Sequence, residues 1–141
     1  MLKKAVLAKQ ISVTVENRIG VLDILAGYLA DRGINIETIA GHEIPGSKQA
    51  SIMLVVNDTL RASEAIKERG FGPVEVHDVI IVELDNKPGA LKTVTGLLVH
   101  KGINIGYIYA TTSLEKCPVK VVMSTSDNEA AFITLKKSAT K

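Results

Sequence analysis

The chain has 141 residues, 46% of them hydrophobic and 23% charged, enough for one domain or two small ones. Its formal net charge is +2, its Lys and Arg residues are scattered, and aromatic residues make up 4%, so it lacks both the basic face and the stacking platform that nucleic acid needs. The lone Cys117 excludes an internal disulfide or a CxxC motif, and no apolar run approaches the ~20 residues of a membrane span.

The N-terminal stretch Met1–Ala8 is basic at its start, but its apolar part is too short for a signal peptide, so a cytoplasmic location is expected. Ile11, Val13 and Val15 then alternate with polar residues and predict a strand. A turn, Glu16–Gly20, leads into Leu22, Leu25, Ala26 and Leu29, which fall on one face of a helix. Gly33 is placed to end that helix, because glycine accepts the left-handed conformation without steric cost. A second strand is expected from Ile34-Asn35-Ile36 to about Glu43, a turn at Pro45-Gly46-Ser47, and a third strand over Ser51–Val56. Asp58 or Thr59 can cap the next helix, whose apolar residues are Leu60 and Ile66, and a fourth strand is expected over Pro73–His77.

The same order then starts again. At an offset of 69 residues, 12 of the 31 pairs between 11–41 and 80–110 are identical, among them Asn17/Asn86, Gly20/Gly89, Gly33/Gly102 and Asn35/Asn104. Chance would give roughly 2 at ordinary residue usage. Ile80, Val82 and Leu84 repeat the first strand, and Leu91, Val94, Thr95 and Leu98 repeat the helix face. The second strand of this copy is expected to run from Ile103 to Thr112, the turn to fall at Ser113-Leu114-Glu115-Lys116, and the third strand over Val119–Ser124. Asp127 or Asn128 caps a helix carrying Phe132 and Leu135.

The order is thus β-α-β-β-α-β, twice. It predicts an α+β fold of two tandem ferredoxin-like units, each an antiparallel sheet with helices on one face, over residues 9–77 and 78–141. The second unit lacks its last strand, since the chain stops where that strand should begin. Its first strand would keep an unpaired edge, which invites pairing with another chain. Leu2–Ala8, a partner chain or solvent could cover that edge, and self-association through it is expected.

The two strand-to-helix turns carry the candidate site. The first N–H groups of a helix have no internal partners and suit an anion. Pro88 pre-sets φ for the first helical position, Gly20 and Gly89 let a ligand approach closely, and the Asn17 and Asn86 amides can both donate and accept. Asn35 and Asn104 are expected to return near the same end of the sheet, completing a place for a zwitterionic amino acid.

Both copies resemble ACT domains, the small-molecule-binding regulatory modules of amino-acid metabolism. The resemblance lies in Val15–Leu22 with Gly33-Ile34-Asn35-Ile36, and in Leu84–Leu91 with Gly102-Ile103-Asn104-Ile105, and it extends over nearly the whole chain after residue 9. In the serine-sensing ACT domain of phosphoglycerate dehydrogenase, two Asn residues that match Asn17 and Asn35 (and Asn86 and Asn104) hold the ligand together with a His. That His position is Val15 in one copy and Leu84 in the other, and Ile19 stands where the family has Pro, which points away from serine.

The resemblance implies a non-enzymatic regulatory or sensor protein. Its ligand would be a free amino acid bound by Asn17, Gly20, Asn35, Asn86, Pro88, Gly89 and Asn104, at turns that lie between ACT units. It further implies a homodimer, a possible partner enzyme and no cofactor. His42, His77 and His100 are isolated, which suggests no metal site, and no nucleophile–base–orienter set is visible. The alternative is a ligand-independent assembly subunit of an amino-acid biosynthetic enzyme, as the small subunits of acetolactate synthase suggest.

Overall fold

The computed structural model describes residues 1–111 and 117–139. The chain runs β1 (Leu2–Glu16), α1 (Val21–Ala30), β2 (Ile36–Glu43), β3 (Gln49–Val56), α2 (Thr59–Arg69), β4 (Val74–Leu84), α3 (Ala90–His100), β5 (Ile105–Ala110), β6 (Val119–Thr125) and α4 (Asn128–Ser138). It divides into two compact units: Lys9–His77, and Met1–Ala8 together with Asp78–Lys141. Each is an α+β unit with an antiparallel sheet, as the doubled β-α-β-β-α-β order predicts.

In the Lys9–His77 unit the strand order is β2-β3-β1, followed by the first residues of β4. Ile11 lies opposite Leu54, Val13 opposite Ile52 and Val15 opposite Ala50, so the period-two residues share one face. That face is covered by Leu25 and Leu29 of α1 and by Ala62 and Ile66 of α2. All of these except the half-buried Ala50 are at most 5% exposed. Each fully buried Leu or Ile contributes about 1.5–3 kcal/mol.

The other unit repeats the plan. Ile80 lies opposite Met123, Val82 opposite Val121 and Leu84 opposite Val119, while Ile108 of β5 lies opposite Met123. Val94 and Leu98 of α3 and Ala131 and Leu135 of α4 close the core. The side chains of Asp58 and Asp127 cap α2 and α4, accepting from the backbone N–H of Arg61 at 3.2 Å and of Ala130 at 3.0 Å.

The edge left by the missing last strand is covered by the chain's own beginning. Leu2–Ala8 lies beside the Asp78–Leu84 part of β4, with the Met1 carbonyl accepting the Asp85 N–H at 3.0 Å. Leu2 and Ala5 belong to the same core as Val82 and Leu98. β1 therefore serves as last strand of the second copy and first strand of the first, and β4 does the reverse. Self-association through this edge is overturned, because its N–H and C=O groups already have a partner strand.

Other expectations need correction. Leu60 is 69% exposed; α2 buries Ala62, Ser63, Ala65 and Ile66 instead, since at 3.6 residues per turn Leu60 points away from Ala62, Ala65 and Ile66. Pro88 does not occupy the first helical position, because α3 begins at Ala90 after a Gly89 cap. The second strands are shorter than expected, at Ile36–Glu43 and Ile105–Ala110. Thr112 and the Ser113–Lys116 turn lie outside the described residues.

Candidate ligand-binding site

Each unit forms a groove between the start of its first helix and its edge strand. In the Lys9–His77 unit it is about 400 Å³ and is lined by Asn17, Val21 and Leu22 on one side and by Ile39, His42 and Ile52 on the other. In the second unit it is about 390 Å³, with Asp85, Asn86 and Leu91 facing Ile108, Tyr109 and Val121. At the 69-residue offset, Asn17/Asn86, Leu22/Leu91, Ile39/Ile108 and Ile52/Val121 hold corresponding places. The walls form because the helix does not reach over the edge strand. Leu22, Leu91, Ile39 and Ile108 stay 42–49% exposed although they lie on the helix-covered side.

The helix starts at the rims differ from the other two. Gly20 and Gly89 cap α1 and α3 with φ of +88° and +87°, and no side chain accepts from either helix start. Their left-handed backbone favours glycine at both positions; a Cβ on Gly20 would meet no protein atom within 4 Å, and one on Gly89 would meet the Met1 methyl at 3.4 Å. The Val21 N–H donates to the Arg18 carbonyl at 3.3 Å and the Ala90 N–H to the Lys87 carbonyl at 3.2 Å, while no side chain caps the N–H groups that follow.

Asn17 and Asn86 therefore lie where the sequence put them, on the groove walls. Asn35 and Asn104 do not join them. The Asn35 N–H donates to the Asn57 side chain at 2.9 Å and the Asn104 N–H to the Ser126 hydroxyl at 3.0 Å. Both partners follow the far ends of β3 and β6. Asn17 instead donates its N–H to the Lys48 carbonyl at 2.9 Å, before β3 begins. The intervening strand spans about 25 Å at ~3.3 Å per residue. The expectation that the two Asn residues of a unit share one end of the sheet is corrected, because a helix returns the chain to the end where its strand began.

Charge distinguishes the two turns. Glu16 pairs with Arg18 of its own turn at 3.2 Å. Asp85 is approached by Lys3 at 3.3 Å, the terminal ammonium of Met1 at 3.5 Å and Lys87 at 3.8 Å. Desolvation pushes the Asp85 carboxyl up, but the Lys3 hydrogen bond and the charges of Lys3 and the terminal ammonium together hold it below its ordinary value. Met1 also lies across the turn: the Thr93 hydroxyl donates to its sulfur at 3.6 Å, and its methyl would stand 3.4 Å from a Cβ on Gly89. Sequence reasoning missed Lys3 and Met1 because they lie more than 80 residues from Asp85 along the chain. Ile39 and Ile108 were visible as an identical pair in the repeat, but their exposure comes from edge placement, which no local pattern carries.

Among the described residues, no group of His, Cys, Asp and Glu is arranged to hold a metal ion, and no helix is long and apolar enough to cross a membrane.

Comparison with known proteins places this geometry in a family. The profile of the AHAS small subunit-like ACT domain matches residues 11–69. No curated protein matches the sequence. Among solved structures, protein BT0572 from Bacteroides thetaiotaomicron is 30% identical with a TM-score of 0.85, over 95% of this chain and 90% of that one. The ligand-free regulatory subunit of aspartate kinase from Thermus thermophilus shares the fold at 19% identity and a TM-score of 0.70, over 99% of both chains. The corresponding subunit from Thermus flavus does so at 17% and 0.62, over 97% of both. Residues 11–69 thus form an AHAS small subunit-like ACT domain, and the second unit repeats its order of elements.

Proposed function

We propose that the chain is a non-enzymatic regulatory module of the cytoplasm that binds a free amino acid in the grooves at Asn17 and Asn86. The observation that carries this is a groove built twice, each with an asparagine and an uncapped helix start at its rim and an apolar floor. Its volume falls in the range of small-molecule sites, about 300–1,000 Å³. An uncapped helix start suits the ligand's carboxylate. The Asn amides suit its ammonium. Leu91, Ile108, Val119 and Val121 then favour an apolar side chain.

Asn35 and Asn104 lie away from their own unit's groove, so in this reading they contribute where a second ACT unit presents them, and the active form is a homodimer. A ligand touching two copies favours one arrangement by its differential affinity for it. The fold shared with regulatory subunits of aspartate kinase supports a partner enzyme in amino-acid metabolism as the target of that change.

A thermal-shift panel of the twenty amino acids tests the reading, because a ligand of the folded state stabilises it by mass action. Stabilisation by one or a few apolar amino acids, lost in Asn86→Ala or Leu91→Arg, supports it. A flat panel at millimolar ligand refutes it and favours the ligand-independent assembly subunit.

A further inference from the structure

We propose that Lys3 and Met1 are positioning residues of the Asn86 groove, so that the N-terminal strand holds the turn that lines it. This rests on the reading of that groove as a ligand site.

The two ends of the Asp85–Gly89 turn are both held by residues from the chain's beginning. At one end, Lys3 Nζ lies 3.3 Å from the Asp85 carboxylate, and the Met1 carbonyl accepts the Asp85 N–H at 3.0 Å. At the other, the Met1 methyl lies 3.4 Å from where a Cβ on Gly89 would stand, and the Met1 sulfur accepts from Thr93 of α3. Within the turn the bonds are short-range, from the Lys87 N–H to the Asp85 carbonyl at 3.0 Å and from the Ala90 N–H to the Lys87 carbonyl at 3.2 Å. Asn86, Lys87, Pro88 and Gly89 are all exposed, so core packing does little to orient them. Asp85 and Asn86 nonetheless form one wall of the groove. Their direction is set by what grips Asp85.

The matching turn of the other unit is held differently. Glu16 pairs with Arg18 inside the turn, and Asn17 bonds the Lys48 carbonyl just before β3. Although the two copies have the same turn sequence pattern, among the described residues one turn is held from within its unit's hairpin and the other by the strand that begins the chain.

Two consequences follow. Holding Asp85 and Asn86 in one direction lowers the ordering cost of binding, so the docked strand strengthens affinity in this groove. By reciprocity, a ligand in the groove must strengthen docking of the strand by the same factor. The N-terminal strand then reports groove occupancy.

Hydrogen exchange and titration calorimetry on the full chain test the proposal with Lys3→Met, Lys3→Arg and, as the control in the other unit, Arg18→Met. Lys3 is half exposed, so its substitution leaves the fold intact. Without any ligand, Lys3→Met is expected to speed exchange of the hydrogen-bonded amides within 85–91, those of Asp85, Lys87 and Ala90, about fivefold, with Lys3→Arg restoring protection and Arg18→Met leaving those amides unchanged. The amino acid that stabilises the wild-type protein most in the panel is then expected to slow exchange of amides 2–8 and to bind Lys3→Met about fivefold more weakly. Unchanged exchange of 85–91 in Lys3→Met overturns the proposal, as does a bound amino acid that leaves 2–8 unprotected. If none of the twenty amino acids binds, the ligand reading fails, while exchange of 85–91 still decides whether Lys3 holds the turn.

Discussion

Gly72 gives the sharpest test of the packing between the ends of β1 and β4. Its φ is +151°, and a Cβ built on it would stand 1.8 Å from the Thr14 carbonyl oxygen and 3.0 Å from the Thr14 carbonyl carbon. These are backbone atoms, so no flexible side chain can yield. Beside the contact, the Thr14 N–H donates to the Pro73 carbonyl at 3.0 Å, and the strands must part for the methyl to fit. Gly72→Ala thus adds an overpacking cost of about 1–3 kcal/mol to a backbone strain of about 1–2 kcal/mol. A weakened strand bond adds about 1 kcal/mol. The expected loss is about 3–6 kcal/mol, or a melting temperature lower by roughly 10–20 °C for a chain of this size. Gly20→Ala is the control. Its φ is also positive, at +88°, but a Cβ there meets nothing within 4 Å, so only the strain remains, about 1–2 kcal/mol. Thermal and urea unfolding of both variants, followed by circular dichroism, makes the comparison. If Gly72→Ala is no more destabilising than Gly20→Ala, the close approach of Gly72 to Thr14 is wrong.

Leu25 and Leu98 are fully buried in separate cores, so Leu25→Ala and Leu98→Ala should each cost about 2–5 kcal/mol in urea unfolding, against less than 1 kcal/mol for the exposed Leu60→Ala. Asp127→Ala removes the acceptor for the Ala130 N–H and should cost about 1 kcal/mol, with Asp127→Asn retaining most of the cap. The Asp85 carboxyl is held below its ordinary value in the folded protein, so its ionised form stabilises the fold. That contribution is complete above the unfolded-state value, near pH 4, and is lost as pH falls through the lower folded-state value. Urea midpoints measured from about pH 6 to pH 2 should therefore fall less steeply on the acid side in Asp85→Asn than in the wild type; identical slopes would remove Asp85 from the acid response.

Much of the fold was written locally. The alternation at Ile11, Val13 and Val15 decides a strand because side chains on a strand change face at every residue. The spacing of Val94 and Leu98 decides a helix face, and the glycines at 33 and 102 take φ of +68° and +69°, as the sequence anticipates for the ends of those helices. The repeat doubled each of these signals, so the order of elements and the two strand-to-helix turns could be read without coordinates. The asparagines at those turns were legible as groove candidates for the same reason.

What tertiary structure decided was everything that depends on residues distant in sequence. From the sequence, Leu2–Ala8 is one of three candidates to cover the open edge; the structure selects it as the strand that completes the second unit, because a strand's partner is chosen by an open edge elsewhere in the chain. Pairing residues 2–8 with 78–84 also brought Lys3 and Met1 onto Asp85. The groove exists because the edge strand extends beyond its covering helix, leaving Ile39 and Ile108 exposed on an otherwise buried side. Asn35 and Asn104 show the converse: their motif was clear, but the path of a helix carries the chain back across the sheet. Local periodicity determines which face of an element is apolar. Only assembly determines which edges meet, and in this protein those meetings form the wall of the candidate site.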